Sequence, residues 1–325
     1  MSLTKQQDLK LPPIPKTFAE AVTRVKQFVL SEFEREVAQK QLYYHTLDHL
    51  IGVKQRAGLI FQTIRPYLHT SDERLARMEL LIDLCAIAHD MIQIFIPNPP
   101  LTPRRREARV SENATIEKLL DYIQDLNQQI SASNPKSTAL FTNADLSIIQ
   151  EAISATICLY DPTDQSIYQP SLYDPNQNIS HIARIIALAD IGGLGMEGIA
   201  AYNKEGSLLF LEENPDIIPI IKNHQIQTLA TDDPELYENI RQRLLRRAQF
   251  QVNFAKSRLD RLSYELLGFP EVAILTLRQT IFKYLNIQTI QEIAATTPRD
   301  VEASLEVLIE FFEFERLLST IQILA

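Results

Sequence analysis

One stretch of this chain, LLIDLCAIAHDMIQIF at residues 80–95, is apolar on nearly every side of the helix that its spacing predicts. A helix without a polar face is typical of a segment that other elements surround, so this stretch predicts the centre of a packed protein. Ser71 offers a capping residue at its start, and the apolar pattern continues to about Phe95. His89 and Asp90 interrupt the pattern near its end. Because a buried charge without a partner is costly, this pair needs a specific explanation.

The rest of the composition favours an all-α fold. Only eight of the 325 residues are glycine, hydrophobic residues make up 45% and charged residues 22%, and β-branched residues fall mostly within helix-period patterns. We therefore expect a multi-helix bundle with an additional helical C-terminal region. Further helices are predicted from Thr17 with Glu20 as a capping box, at 46–65, 106–131 and 142–159, up to Asp190, at 234–268, and from Thr297-Pro298 onward.

Proline positions predict how the chain is divided. Residues 1–16 are expected to form an N-terminal arm, because several prolines there oppose regular structure. Residues 17–200 are expected to form one domain, and residues 201–325 a helical region packed on it. Residues 160–179 also contain prolines and are expected to wander over the surface.

Charge and cysteine usage narrow the choice of partners. The net charge of −9 at pH 7 argues against a nucleic-acid polymer, since proteins that bind one present a basic face. A small anionic substrate remains compatible with this net charge if a bound cation reverses the local potential.

The N-terminal segment has no apolar signal core, and no run predicts a membrane span, so we expect a cytoplasmic protein without a membrane partner. Cys85 and Cys158 lie in apolar runs and are expected to be core residues.

Polar residues at three places in otherwise apolar helices are candidates for a functional site. His45 and His49 are four residues apart and share a helix face if the helix reaches back to His45. His89, Asp90 and Asp190 add one imidazole and two carboxylates. Nitrogen and oxygen donors in this mixture suit a divalent metal ion that activates water. Taken singly, these positions are also explained as surface imidazoles, a buried hydrogen-bonded pair and a polar helix C-terminus.

The order of these residues resembles the HD superfamily of metal-dependent phosphohydrolases, and the first block is similar to that of the cyclic-nucleotide phosphodiesterases. The resemblance covers about residues 40–200. It is carried by Tyr44-His45, His49, Ala86-Ile87-Ala88-His89-Asp90 and Ala189-Asp190. It implies a divalent ion (Mn, Mg, Ni, Fe or Zn) held by His49, His89, Asp90 and Asp190, with His45 as the proton donor to the leaving oxygen.

Other polar residues are weaker candidates. Glu112 or Asp190 is expected to orient the attacking water, and Glu112 is also explained as an ion-pair partner of the nearby arginines. Arg105 and Arg109 are expected to bind substrate phosphate, because a guanidinium binds phosphate oxygens bidentately; a solvated, cationic helix start is the alternative. His181 lies nine residues before Asp190, on the opposite side of an ideal helix, so we expect one ion and not two.

These residues together predict metal-dependent hydrolysis of a phosphoester, with a nucleotide or a related small phosphate compound as substrate and His45 as general acid. The alternative is a catalytically silent regulatory or scaffold protein that acts through its C-terminal helices. The presence of His45 at the proton-donor position favours the enzyme, because a protein with a purely structural ion does not need a proton donor. Association of copies of the chain through the C-terminal helices is left open.

Overall fold

The computed structural model describes residues 13–173 and 179–324, and within these ranges the protein is all-α, as predicted. Of the predicted arm, residues 1–12 lie outside the described residues. The helices are α1 (Phe18–Lys40), α2 (Leu47–Ile64), α3 (Asp72–Ala88), α4 (Val110–Ser133), α5 (Asn143–Ser154), α6 (His181–Asp190), α7 (Gly193–Glu197), α8 (Ile199–Glu213), α9 (Ile218–Lys222), α10 (Ile226–Asp232), α11 (Pro234–Glu265), α12 (Glu271–Thr276), α13 (Ile287–Thr296), α14 (Leu305–Phe311) and α15 (Phe314–Leu324). Strands β1 (Leu159–Asp161) and β2 (Ser166–Tyr168) form an antiparallel hairpin.

The apolar segment forms α3, and its central position is confirmed. The helix packs against α1, α2, α5 and α6, and Leu84, Cys85 and Ala88 have no exposed surface. Ser71 caps the first turn by accepting a hydrogen bond from the backbone of Arg74. Because α3 is covered on most sides, whatever stands at its C-terminal end lies inside the protein.

That end comes at Ala88, well before the predicted end at Phe95. The backbone N–H groups of His89 and Met91 still donate to carbonyls of α3, at 3.0 Å each, whereas those of residues 92–94 donate to side chains of α1 and α4. The pairs are Ile92 with the Thr115 hydroxyl (3.1 Å), Gln93 with the Glu36 carboxylate (2.9 Å) and Ile94 with the Ser111 hydroxyl (3.0 Å). Since these N–H groups have side-chain acceptors outside α3, the chain can leave the helical path without leaving a buried N–H group unpaired. His89 and Asp90 therefore stand at a helix end, where their side chains are less constrained.

The start of α2 also differs from the sequence expectation. The helix begins at Leu47, so the helix face that His45 and His49 were to share does not extend to His45. The backbone N–H groups of residues 43–45 each donate to the carboxylate of Glu212 at 3.0 Å, which holds this segment in a non-helical path. Local starts were predicted more accurately where the cap lies in the same segment. Capping boxes join Thr17 to Glu20 and Thr142 to Asp145.

The segment after α5 does not wander over the surface as predicted. Helix α5 ends at Ser154, and the β1–β2 hairpin follows, while residues 174–178 lie outside the described residues. Arg261 of α11 donates to Asp161 and Asp164 at 2.6 Å each, and its guanidinium lies 4.6 Å from the centre of the Tyr168 ring. The hairpin is thus held by a residue about a hundred positions away, which local proline content does not indicate.

Two more helix boundaries were predicted wrongly. Helix α4 begins at Val110, four residues after the predicted start. The last predicted helix, from Thr297-Pro298, begins only at Leu305, where Ser304 caps it, and is interrupted at Glu313, whose φ is 51°. The left-handed backbone at Glu313 explains the interruption, because an α-helix cannot continue through it.

The chain beyond residue 200 contributes to two hydrophobic cores. Residues near the end of α11 and in α12 join the large core around α3, whereas α9, α10, the first half of α11, α14 and α15 form a smaller core of their own. Arg104 connects the halves, since its guanidinium donates to the carbonyls of Lys40 and Gln41 at 2.8 Å each and to the carbonyl of Glu212. The domain boundary near residue 200 stays a prediction. In the described ranges, no helix has the length and apolar character needed to cross a membrane.

Candidate metal centre

The four side chains predicted as metal ligands meet at one point. Donor atoms of His49, His89, Asp90 and Asp190 all lie within 4.8 Å of one another. The Nε2 atoms of the two imidazoles are 3.3 Å apart. The Oδ2 atom of Asp90 lies 3.2 Å from Nε2 of His49 and 3.0 Å from Nε2 of His89. The Oδ1 atom of Asp190 lies 3.6 Å and 3.5 Å from the same two nitrogens.

Helix ends bring these donors together. His49 lies in the first turn of α2, His89 directly follows α3, and Asp190 is the last residue of α6, which packs against both helices. Neighbours on an ideal helix diverge by about 100°, which would aim His89 and Asp90 apart. Because α3 has already ended, the Asp90 carboxylate turns to the point that the His89 imidazole faces.

The donor set fits one divalent ion. Nδ1 of His89 lies 3.0 Å from the carbonyl of Ala86 and donates to it, so Nε2 is the nitrogen that faces His49 and that would bind an ion on losing its proton. Such a hydrogen bond on the outer nitrogen is typical of metal-binding histidines. Ligands held about 2.0–2.2 Å from one ion lie about 3.0–3.5 Å from each other in octahedral or tetrahedral arrangements, close to the 3.0–3.6 Å measured here. The cluster can therefore hold a metal ion.

The charges of the cluster support the same conclusion. Burial would lower the pKa of His89, but Asp90 and Asp190 raise it well above its usual value. Burial would raise the pKa of Asp90, but His89 and His45 hold it well below the usual range. Hydrogen bonds from His49 and His89 likewise lower the pKa of Asp190 against the effect of burial. Both carboxylates are thus ionised at neutral pH, as metal ligands must be.

His45 lies beside the cluster, and the carboxylate of Glu212 binds its Nδ1 atom. Its Nδ1 lies 2.5 Å from Oε1 of Glu212, while its Nε2 lies 2.9 Å from Nη1 of Arg106 and 3.6 Å from Oδ2 of Asp90. Burial would raise the pKa of Glu212, but His45 and Arg106 lower it to about 2. The ionised carboxylate accepts the Nδ1–H hydrogen bond and directs Nε2 towards the cluster.

Glu212 and Arg106 were not predicted as site residues. Glu212 ends the run Leu-Leu-Phe-Leu-Glu of α8 and has no exposed surface. A carboxylate on the apolar face of an amphipathic helix was the available signal, but it lies far from the recognised motifs in the sequence. Arg106 was one of four arginines between 104 and 109, and only the folded loop decides which of them faces His45.

Of the weaker candidates from the sequence, Glu112 lines the cavity at the cluster, whereas Arg105 and Arg109 do not. Glu112 lies in the first turn of α4 and faces the same cavity as Asp90, and its Oε2 is buried without a hydrogen-bond partner among the described residues. Burial and the neighbouring Asp90 raise its pKa. Arg105 and Arg109 are exposed and are not among the residues that line the cavity, whereas Arg106 between them is. A role of Arg105 and Arg109 in substrate binding stays a prediction.

The remaining histidines and the cysteines lie apart from the ligand cluster. His181 begins α6 and stacks on the ring of Phe269, with the ring centres 6.1 Å apart. His69 and His224 are exposed in non-helical segments. Cys85 is a buried core thiol as predicted, whereas Cys158 is half-buried and lines the cavity; both thiols are free.

A cavity of about 920 Å³ opens from the cluster. Its floor includes Asp90, Asp190 and His45, and its far wall is formed by α8 and α11. Sites for small molecules commonly have volumes of 300–1,000 Å³. The ligand cluster thus faces a space large enough for an organic substrate.

Comparison of the chain with protein-family models, with curated proteins and with solved structures gives no match. The resemblance to the HD superfamily therefore stands on the motif residues and on the geometry of the His/Asp cluster, and membership in that superfamily stays a prediction.

Proposed function

We propose that this protein is a metal-dependent phosphohydrolase that acts on a small phosphate ester. One observation carries the proposal: the two-histidine, two-carboxylate cluster lies on the floor of a large cavity with His45 and Arg106 beside it. Structural metal sites are closed, whereas catalytic sites keep a coordination position open. A cluster whose carboxylates line a cavity supports the catalytic alternative over a silent scaffold.

The ligands His49, His89, Asp90 and Asp190 would hold the ion. A divalent ion there supplies Lewis acidity, which lowers the pKa of water and neutralises phosphoryl oxygens. Glu112 faces the same cavity, and burial together with the neighbouring Asp90 raises its pKa, which makes its carboxylate a better proton acceptor. We assign to Glu112 the orientation of the attacking water.

His45 is assigned the role of general acid. Glu212 holds its Nδ1–H, so that Nε2 is the atom that would deliver a proton to the leaving oxygen. Arg106 donates to that same Nε2 at 2.9 Å and to Gln93 at 2.7 Å. Because Nε2 cannot accept from Arg106 and carry a proton at once, Arg106 has to leave it. A substrate phosphate, which binds guanidinium strongly, gives Arg106 a better partner and frees Nε2 for protonation.

The test combines metal content with activity. Purified protein is incubated with Mn, Mg, Ni, Fe or Zn, its metal content is measured by elemental analysis, and hydrolysis of phosphomonoesters and phosphodiesters is assayed. We expect about one ion per chain, lost in Asp90→Ala together with activity, while His45→Ala keeps the ion and loses turnover. An enzyme role is refuted if the loaded protein hydrolyses none of the esters, and the role of His45 is refuted if His45→Ala loses metal and activity equally.

A further inference from the structure

The cavity extends well beyond the metal centre, and its far wall is one face of α11. The residues of this face recur at helical spacing, so a single side of the helix is turned to the cavity. They are Arg243, Arg246, Arg247, Phe250, Asn253 and Phe254, and Gln249 at the edge of this face also lines the cavity. From Arg246 to Phe254 this face is about 12 Å long at 1.5 Å per residue. The cavity that the His/Asp cluster lines is therefore also lined by a face of α11.

Two arginines at this end have no anionic partner. Arg243 is neutralised, since it donates to both carboxylate oxygens of Asp216 at 3.0 and 2.9 Å. Arg246 and Arg247 form no ion pair or hydrogen bond with any side chain in the described ranges, and the Nε atom of Arg247 is buried without a partner. The half-buried Arg247 thus has an N–H group without an acceptor, and the exposed Arg246 beside it pairs with no carboxylate in the described ranges, so both guanidinium groups are available to an acceptor from outside the protein.

The two carboxylates of α8 that line the cavity do not pair with these arginines. Glu213 of α8 lines the same cavity, but burial raises its pKa in spite of the attraction of Arg247 and Arg106. The other cavity carboxylate of α8, Glu205, is already paired with Arg56 at 2.9 Å. Neither Glu205 nor Glu213 therefore forms an ion pair with Arg246 or Arg247 in the described ranges.

Aromatic rings continue this wall. The guanidinium of Arg247 lies 5.3 Å from the ring centre of Phe250, and the rings of Phe250 and Phe254 stack with their centres 5.8 Å apart. The ring holds Arg247 in place and offers an apolar surface beside it. A volume of about 920 Å³ also far exceeds what a single phosphate group fills.

We propose that Arg246 and Arg247 form a second anion subsite, so that the substrate carries at least two phosphoryl groups and an organic part that packs on Phe250. The scissile group lies at the metal centre, and a further phosphoryl group is bound by the guanidinium groups of α11. This inference rests on the proposed function, because it takes the first phosphoryl group to bind at the His/Asp cluster.

The test measures binding of inorganic pyrophosphate by titration calorimetry in the presence of EDTA, with metal content and phosphoester hydrolysis measured separately on the same preparations. The variants are Arg246→Gln and Arg247→Gln. Lys256→Gln is the matched control, because it removes one positive charge from an exposed position of α11 that does not line the cavity. Arg246 is exposed, so its replacement is expected to leave the fold intact.

We expect each arginine variant to weaken pyrophosphate binding about tenfold or more while metal content is unchanged, and Lys256→Gln to bind like the wild type. If the arginine variants bind pyrophosphate as tightly as the control, or if the wild type binds none, the subsite is refuted even when the loaded protein hydrolyses phosphoesters. If the arginines prove necessary for binding but no ion is held and no ester is cleaved, the anion subsite stands and the metal-dependent reaction is what fails.

Discussion

Replacing Glu212 by Gln is the most informative change to the site, because one buried carboxylate holds both His45, the proposed general acid, and the segment before α2. Oε2 accepts the backbone N–H groups of residues 43–45, and Oε1 contacts Nδ1 of His45. Gln keeps the shape of Glu but removes the charge and replaces one acceptor by a donor. The contacts that need an ionised oxygen are therefore weakened at a site with no exposed surface.

The magnitude follows from the pKa of Glu212, which falls from 4.5 to about 2 on folding. At 1.36 kcal/mol per pKa unit, the ionised form contributes about 3 kcal/mol to the free energy of unfolding at neutral pH. Because the folded pKa is lowered, this contribution is fully present above pH 4.5 and is lost as the pH falls towards 2. We expect Glu212→Gln to lose about 3 kcal/mol at pH 7, and the gap to the wild type to narrow to about 1 kcal/mol near pH 3.

Urea unfolding of both proteins at pH 7 and near pH 3 measures this gap. The neighbouring Glu213→Gln is the matched control, since burial raises the pKa of Glu213 and removal of its charge costs no stability at pH 7. A loss below about 0.5 kcal/mol in Glu212→Gln at pH 7, or an equal loss in both variants, would refute the assigned role of the Glu212 carboxylate.

Further predictions concern the ligand cluster, an ion pair and the core. Saturating Mn²⁺ at a hundredfold excess over its dissociation constant should stabilise the wild type by about 2.7 kcal/mol in thermal unfolding, and the effect should vanish in Asp190→Asn; equal stabilisation of both would place the ion elsewhere. Asp145→Ala should cost about 2–4 kcal/mol in urea unfolding, because it breaks the bidentate pair with Arg77, at 2.9 and 2.6 Å, together with the cap of α5; a change within experimental error would contradict this. Leu84→Ala in α3 should cost about 3–5 kcal/mol, since the side chain has no exposed surface, whereas Leu59→Ala, at a position 55% exposed, should cost under about 1 kcal/mol.

Local sequence determined the class of fold and most helix starts of this protein. Helical spacing of apolar residues, the scarcity of glycine, and caps such as Thr17 with Glu20 act within one segment, so they can be interpreted without knowing the partners. The cluster of His49, His89, Asp90 and Asp190 could also be named in advance, with the help of the resemblance to the HD superfamily. Each is polar in an apolar stretch, and burial of such groups requires a common partner.

Tertiary structure decided what lies around those ligands. Helix α2 starts after His45 because Glu212 accepts the backbone N–H groups there, and the chain beyond α3 leaves the helical path where side chains of α1 and α4 accept the N–H groups of residues 92–94. For the same reason Glu212, Arg106 and the arginines of α11 could not be assigned to the site from spacing alone. Their distance in sequence from the motifs is large, and only long-range packing sets which side chain faces the cavity, so no local pattern records it.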